Sequence, residues 1–100
     1  MLCLYICTIM LVTLRQLQYV IAVADTGSFS KAAELCFADQ STVSQQVKLL
    51  EDRLGIQIFI RTNYPLKPSI EGQEVIVKAR EIITKVEDLI APFKEKPKAP

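Results

Sequence analysis

The feature that most constrains this chain is the stretch from Ser28 to Gly55, SFSKAAELCFADQSTVSQQVKLLEDRLG, because it fixes two helices and the corner between them. In its second half Val43, Val47, Leu50 and Leu54 recur at spacings of four, three and four residues. That is the spacing of one buried stripe on a helix. The opposite face then holds Gln40, Ser41, Thr42, Ser44, Gln45 and Lys48. Asp39 is expected to cap this helix, its carboxylate accepting from the free backbone N–H of Ser41 or Thr42, and Gly55 followed by Ile56 is a helix stop. In the first half Ser30 reads as the N-cap of a short helix, Lys31 to Cys36, whose Ala32 and Ala33 allow a second helix to approach closely. Phe37 and Ala38 form the corner. Two short helices crossing steeply over a small contact make a helix-turn-helix. A hydroxyl- and amide-rich outer face suits the donors and acceptors on base-pair edges, although alone it would equally suit a solvated helix surface.

The flanking segments extend this unit. From Leu14 the pattern is helical, with Leu17, Val20, Ile21 and Ala24 inward, Arg15, Gln16, Gln18 and Asp25 outward, and Gly27 as the stop. Residues Gln57 to Ser69, with a turn built on Asn63 to Pro65 and a second run broken by Pro68, suit a two-stranded hairpin with proline at an edge. A hairpin after a helix-turn-helix is a wing. The last helix is expected to start at the N-cap Ser69, with Glu71 in its first turn, and to run to about Ala91 before Pro92. Its apolar residues Val75, Ala79, Ile82, Val86 and Leu89 form a coiled-coil seam that Ile76, Ile83 and Ile90 widen. About 21 helical residues give a length near 30 Å, more than so small a domain can cover. The surplus apolar face asks for a second copy of the chain. The expected fold is therefore mainly α: a winged helix-turn-helix (three-helix core plus two-stranded wing) followed by a long dimerisation linker helix. Its parts are an apolar N-terminal extension at 1–13, the winged domain at 14–69, the linker helix at 70–91 and a Pro/Lys-rich tail at 92–100.

Charge narrows how such a domain could work. The chain has 100 residues, 23% of them charged, and a formal net charge of +1. Between Leu14 and Gly72 the cations Arg15, Lys31, Lys48, Arg53, Arg61 and Lys67 meet the acids Asp25, Glu34, Asp39, Glu51, Asp52 and Glu71 one for one. A DNA-binding domain usually carries a basic excess, since neutralising phosphates supplies much of its affinity. Binding here must come from where a few cations sit, with Arg15, Lys31, Lys48, Arg61 and Lys67 as the phosphate contacts, and from two copies acting together. The acid pairs Glu51–Asp52 and Glu87–Asp88 read as exposed helix positions.

Three cysteines and no histidine leave no zinc site, because Cys3 and Cys7 make only half of one. Cys36 reads as a small buried filler. No phosphate-binding loop or acyl-transfer arrangement is present in the sequence, so neither an enzyme nor a cofactor is expected. The odd cysteine count without a secretion signal suggests a reducing cytoplasm. Met1 to Val12 is almost wholly apolar, yet it is shorter than the roughly 20 residues of a spanning helix and lacks a basic leader. It reads as an extension foreign to the domain, with Met10 or Val12 as candidate start positions, and not as a membrane anchor.

Three segments then carry a family resemblance. LRQLQYVIAVADTGSFSKAAELC, STVSQQVKLLEDRLGIQIFIRT and EGQEVIVKAREII, in that order from Leu14 to about Ile90, resemble the N-terminal domain of LysR-type transcriptional regulators. The resemblance implies a double-stranded DNA target and a linker helix that pairs antiparallel with its mate. It also implies groove-facing roles for Gln40, Thr42, Ser44 and Gln45, and makes Arg61 the wing-base arginine. Where the family usually has Ser-Gln-Pro, this chain has Asp39-Gln40-Ser41. The carboxylate of Asp39 would lie near a phosphate and weaken nonspecific affinity, while Ser41 gives up a proline at the helix start and adds a hydroxyl to the reading face. A small-molecule inducer is implied only where the family's C-terminal effector domain exists, and these residues contain no counterpart of it. The expected function is sequence-specific DNA binding as a dimer; the alternative is a winged-helix protein-interaction module without direct DNA contact.

Overall fold

The computed structural model describes residues 12–62 and 64–95. The expected apolar extension falls outside the described residues up to position 11, as does the end of the tail at 96–100. The elements are α1 (Leu14–Thr26), α2 (Phe29–Leu35), α3 (Gln40–Leu54), β1 (Phe59–Ile60), β2 (Lys67–Pro68) and α4 (Ile70–Glu95).

Helix α1 is held at both ends. A capping box starts it: Thr13 Oγ1 accepts from the Gln16 N–H at 3.2 Å, and Gln16 Oε1 accepts from the Thr13 N–H at 3.1 Å. Gly27 ends it in the left-handed region at φ 72°, where a Cβ would also come within 2.7 Å of Pro65. Packing against α2, α3 and α4 together explains why its buried face is wider than one stripe. Gln16, Leu17, Tyr19, Val20, Ala22 and Val23 are all buried, whereas Ile21 and Ala24 are only partly so. Gln16, expected outside, is inside, where its amide oxygen and its amide nitrogen are each hydrogen-bonded.

The cap of α2 is Ser28, not Ser30: the Ser28 Oγ accepts from the Lys31 N–H at 3.3 Å, and the helix starts two residues earlier than its sequence suggests. Ala32 and Ala33 are buried against neighbouring helices. Phe37 turns the corner in the left-handed region at φ 54°, its ring in solvent. Asp39 stands at the N-cap of α3 with extended backbone, but its carboxylate makes no capping hydrogen bond. Val43, Val47 and Leu50 are completely buried, as their spacing predicts. Leu54 is not; it is 43% exposed, and Glu51 is buried in the last turn instead. The wing supplies hydrogen-bond donors to Glu51, while Leu54 lies at the edge of an open groove beside α4.

The wing strands pair antiparallel, Phe59 with Pro68 and Ile60 with Lys67. Ile58, Phe59 and Leu66 send their side chains into the core, and the Leu66 N–H donates to the Gly27 carbonyl at 2.8 Å. Ser69 then caps α4 as expected, accepting from the Gly72 N–H at 2.9 Å while its hydroxyl donates to the Gln57 carbonyl at 2.6 Å. Gly72 lies directly on the Ile58 backbone, so that a Cβ there would overlap the Ile58 carbonyl.

Helix α4 runs through Pro92 to Glu95 instead of stopping at Ala91. A proline there removes a single ladder bond. Its 26 residues make a rod of about 39 Å. The first half packs on α1 through Ile76 and Ala79, with Val75 and Ile83 partly buried. Ala79, expected in the intermolecular seam, is thus 1% exposed within its own domain. The open apolar face lies further on, at Ile82, Leu89, Ile90 and Phe93, with Val86 half-buried. Among the described residues no helix is long and apolar enough to cross a membrane.

Substituting Gly72→Ala is expected to lower stability in urea unfolding by about 1–3 kcal/mol, the cost of forcing an atom into a filled site. An unchanged midpoint would mean that α4 is not seated on Ile58.

Candidate nucleic-acid interface

The outer face of α3 is built by the burial of its inner one. With Val43, Val47 and Leu50 fixed in the core, Ser41, Gln45 and Lys48 fall on one outward line at helical spacing, all exposed, while Thr42 and Ser44 flank it half-buried. Gln40 is exposed but tied: the Ser30 hydroxyl donates to its Oε1 at 3.1 Å. Its carbonyl is engaged with α2, which leaves the amide N–H group for other partners.

Gln46, a residue that the periodicity did not single out, is oriented from below. The Thr13 backbone N–H can only donate, so the Gln16 atom facing it is the amide oxygen. Gln16 Nε2 therefore donates to Gln46 Oε1, at 3.1 Å. The relay locks α3 against α1, and its legible signal was the Thr13-x-x-Gln16 capping box.

The candidate cations are spread over the elements. Arg15 lies in the first turn of α1, Lys31 in α2, Lys48 in α3 and Lys67 in β2, all exposed. Arg15 stands near Cys36, whose thiol pKa is pushed up by burial and drawn partly back by that guanidinium. Arg61, just past β1, differs from the rest: its Nη2 donates to Glu51 Oε1 at 2.7 Å, and its guanidinium stacks over the Phe29 ring at 5.3 Å. Lys48 and Arg61 are brought to one polar depression, together with Glu51, Asp52 and Gln57.

Glu51 is the acid whose placement the sequence did not show. Far from being an exposed acid, its side chain is 7% exposed, and its Oε2 accepts from the backbone N–H groups of Ile58 at 2.8 Å and Phe59 at 3.3 Å. Its position next to Leu50 and four after Val47 put it at the edge of the stripe, which was the available signal. Among the described residues no group of His, Cys, Asp and Glu is arranged to hold a metal ion.

A short helix, a tight corner and a second helix packed on a third, followed by a two-stranded wing, define a winged helix-turn-helix protein. Residues 14–73 match the family described as bacterial regulatory helix-turn-helix protein, lysR family. The chain belongs to the LysR family. It is 38% identical over 74 residues to the HTH-type transcriptional regulator MetR of Haemophilus influenzae, covering 74% of this chain and 24% of that protein. It is 41% identical over 61 residues to the HTH-type transcriptional activator AllS of Klebsiella pneumoniae, covering 61% and 23%. The chain thus spans about a quarter of the length of these relatives. Among solved structures it is similar to the BenM DNA-binding domain in complex with benA site 1 DNA, with a TM-score of 0.79, 34% identity, and 83% of this chain and 93% of that one covered. It is also similar to the CbnR DNA-binding domain in complex with DNA, with a TM-score of 0.76, 26% identity, and coverage of 83% and 95%.

Because the Asp39 carboxylate makes no capping bond, Asp39→Ala is expected to change the unfolding free energy by less than about 0.5 kcal/mol, as ordinary surface substitutions do. A loss of about 1 kcal/mol or more, typical of a true cap, would contradict this.

Proposed function

We propose that this chain is the DNA-binding part of a transcriptional regulator that reads double-stranded DNA with α3 in the major groove. The observation that carries the reading is the line Ser41, Gln45, Lys48: hydroxyl, amide and cation on the exposed face of a helix whose inner face is locked in a core. Gln45 has the paired donor and acceptor that suit adenine. Ser41, Thr42 and Ser44 can donate to or accept from either base of a pair, and the Gln40 amide can donate to a base acceptor. Arg15, Lys31, Lys48, Arg61 and Lys67 are assigned to phosphates, which position the domain without reading sequence. The winged unit at 14–69 and the helix after it are read as separate working parts, one for DNA and one for pairing.

The domain acts as a homodimer in this reading. An apolar groove is lined by Leu17, Leu50, Leu54, Ile56, Val75 and Ile82, Val86 and Leu89 follow at helical spacing along α4, and a second α4 is a chemically matched cover. Two copies would present two α3 helices to half-sites separated by a helical turn of DNA or a multiple of it. The site of action is the cytoplasm, and a small-molecule inducer enters only through an effector domain joined to this one.

The test is fluorescence anisotropy on a selected operator and a scrambled duplex at two salt concentrations. Gln45→Ala is expected to cost about 1–3 kcal/mol on the operator and little on the scrambled duplex. Equal losses on both would remove its base-reading role, and salt-insensitive or absent binding would favour a protein-interaction module. Val86→Glu is expected to convert a sedimenting dimer to monomer and to reduce operator affinity; a dimer that persists would place the pairing surface elsewhere.

A further inference from the structure

We propose that Glu51 is a positioning residue for DNA binding, whose buried carboxylate holds the wing arginine Arg61 by one arm so that the rest of the guanidinium meets a phosphate. The inference rests on the assignment of Arg61 to phosphate made above.

The geometry distinguishes this arrangement from a simple ion pair. An arginine and a carboxylate left to themselves favour two parallel bonds, fork to fork. Here one carboxylate oxygen is occupied by two backbone donors, Ile58 and Phe59. Only Oε1 faces Arg61, and it takes a single bond from Nη2. A guanidinium carries five N–H donors in a rigid plane, and among the described residues the hydrogen bond to Glu51 is the one that Arg61 makes through its side chain. The Phe29 ring fixes the plane of the group from one face. The Arg61 side chain is nevertheless 34% exposed, while that of Glu51 is 7% exposed. Arg61 lines the same depression as Lys48, and among the described residues the guanidinium donors that Glu51 does not take have no protein acceptor. Glu51 itself cannot shift to follow Arg61, because moving it would strip the first wing residues of their acceptor.

A charge argument makes the proposal testable. Glu51→Gln raises the net charge by one, which by long-range electrostatics alone tightens DNA binding. The amide oxygen can still accept from Ile58 and Phe59, but the pull on Arg61 is gone. Weakened binding in this variant cannot therefore come from the change of charge.

The experiment is a double-mutant cycle by anisotropy on a fluorescein-labelled duplex of random sequence, with circular-dichroism melts of every variant. Arg61→Ala is expected to weaken binding and to reduce the salt slope by about 1. Glu51→Gln is expected to weaken it about three- to tenfold in the parent protein, and not at all in the Arg61→Ala background. Weakening in both backgrounds would make Glu51 a structural element of the wing and overturn the proposal. Unchanged or tighter binding of Glu51→Gln in the parent would overturn it as well. If Arg61→Ala binds like the parent, the phosphate assignment fails first and the positioning role with it. Should Glu51→Gln fail to fold, Arg61→Lys carries the test. It keeps the charge but lacks the second arm, so binding close to that of Arg61→Ala is expected and parent-like binding overturns the proposal.

Discussion

The carboxylate of Glu51 joins three parts of the molecule. It belongs to the last turn of α3, accepts from the backbone at the start of the wing, and holds the arginine that follows β1. A buried acid is costly unless it is paired and hydrogen-bonded, and here one oxygen serves two amides and the other a guanidinium. The same segment continues the chain of constraints. Ile58, whose N–H is bound by Glu51, accepts from the Ser69 N–H through its carbonyl at 2.8 Å, and Gly72 lies on its backbone. The end of α3, the wing and the first turn of α4 are therefore a single mechanical unit. In the dimer proposed above, that unit would set the distance and angle between the two reading helices.

Net charge does not create the binding surface in this account. Six cations face six acids between Leu14 and Gly72; of these Arg61 is engaged by Glu51, and Asp25 is engaged by Arg80 of α4, which lies beyond that stretch. The second pair is exposed on both sides and contributes little to stability, but it removes a cation from the long-range field. A neutral domain of this kind has weak nonspecific attraction to DNA. It depends on orientation, which the Gln16–Gln46 relay, the Ser30–Gln40 bond and the Glu51–Arg61 pair each supply by fixing one end of a polar side chain.

Much of the fold was legible because periodicity and stop signals state which face of a helix is apolar and where it ends. Gly27 and Gly55 end α1 and α3 as read, Val43, Val47 and Leu50 lie in the core, and the family resemblance matched the family to which the chain belongs. What was missed on the helix faces shares one cause: periodicity does not say what covers a face. Leu54 continues the stripe but lies at the edge of an open groove. Glu51 breaks the stripe and is covered, because the wing brings amide donors to it. Ala79 fits an intermolecular seam and is covered by its own α1. Ser28 and Ser30 are equally good caps in composition, and only the backbone turn after Gly27 decides between them. In the candidate site the exposure of Ser41, Gln45 and Lys48 was readable from spacing, whereas the coupling of Gln40, Gln46 and Arg61 to other elements required the tertiary structure.

The outer face of α3, assisted by the wing, is the surface proposed to meet DNA. Backbone amide chemical shifts of the nitrogen-15-labelled protein, followed while a DNA duplex is added, test it residue by residue. Salt-reversible shifts are expected at Gln40 to Lys48 and at Arg61, with the exposed turns of α4 around Leu89 unmoved. Shifts confined to α4, or an unperturbed α3 at saturating DNA, would contradict it.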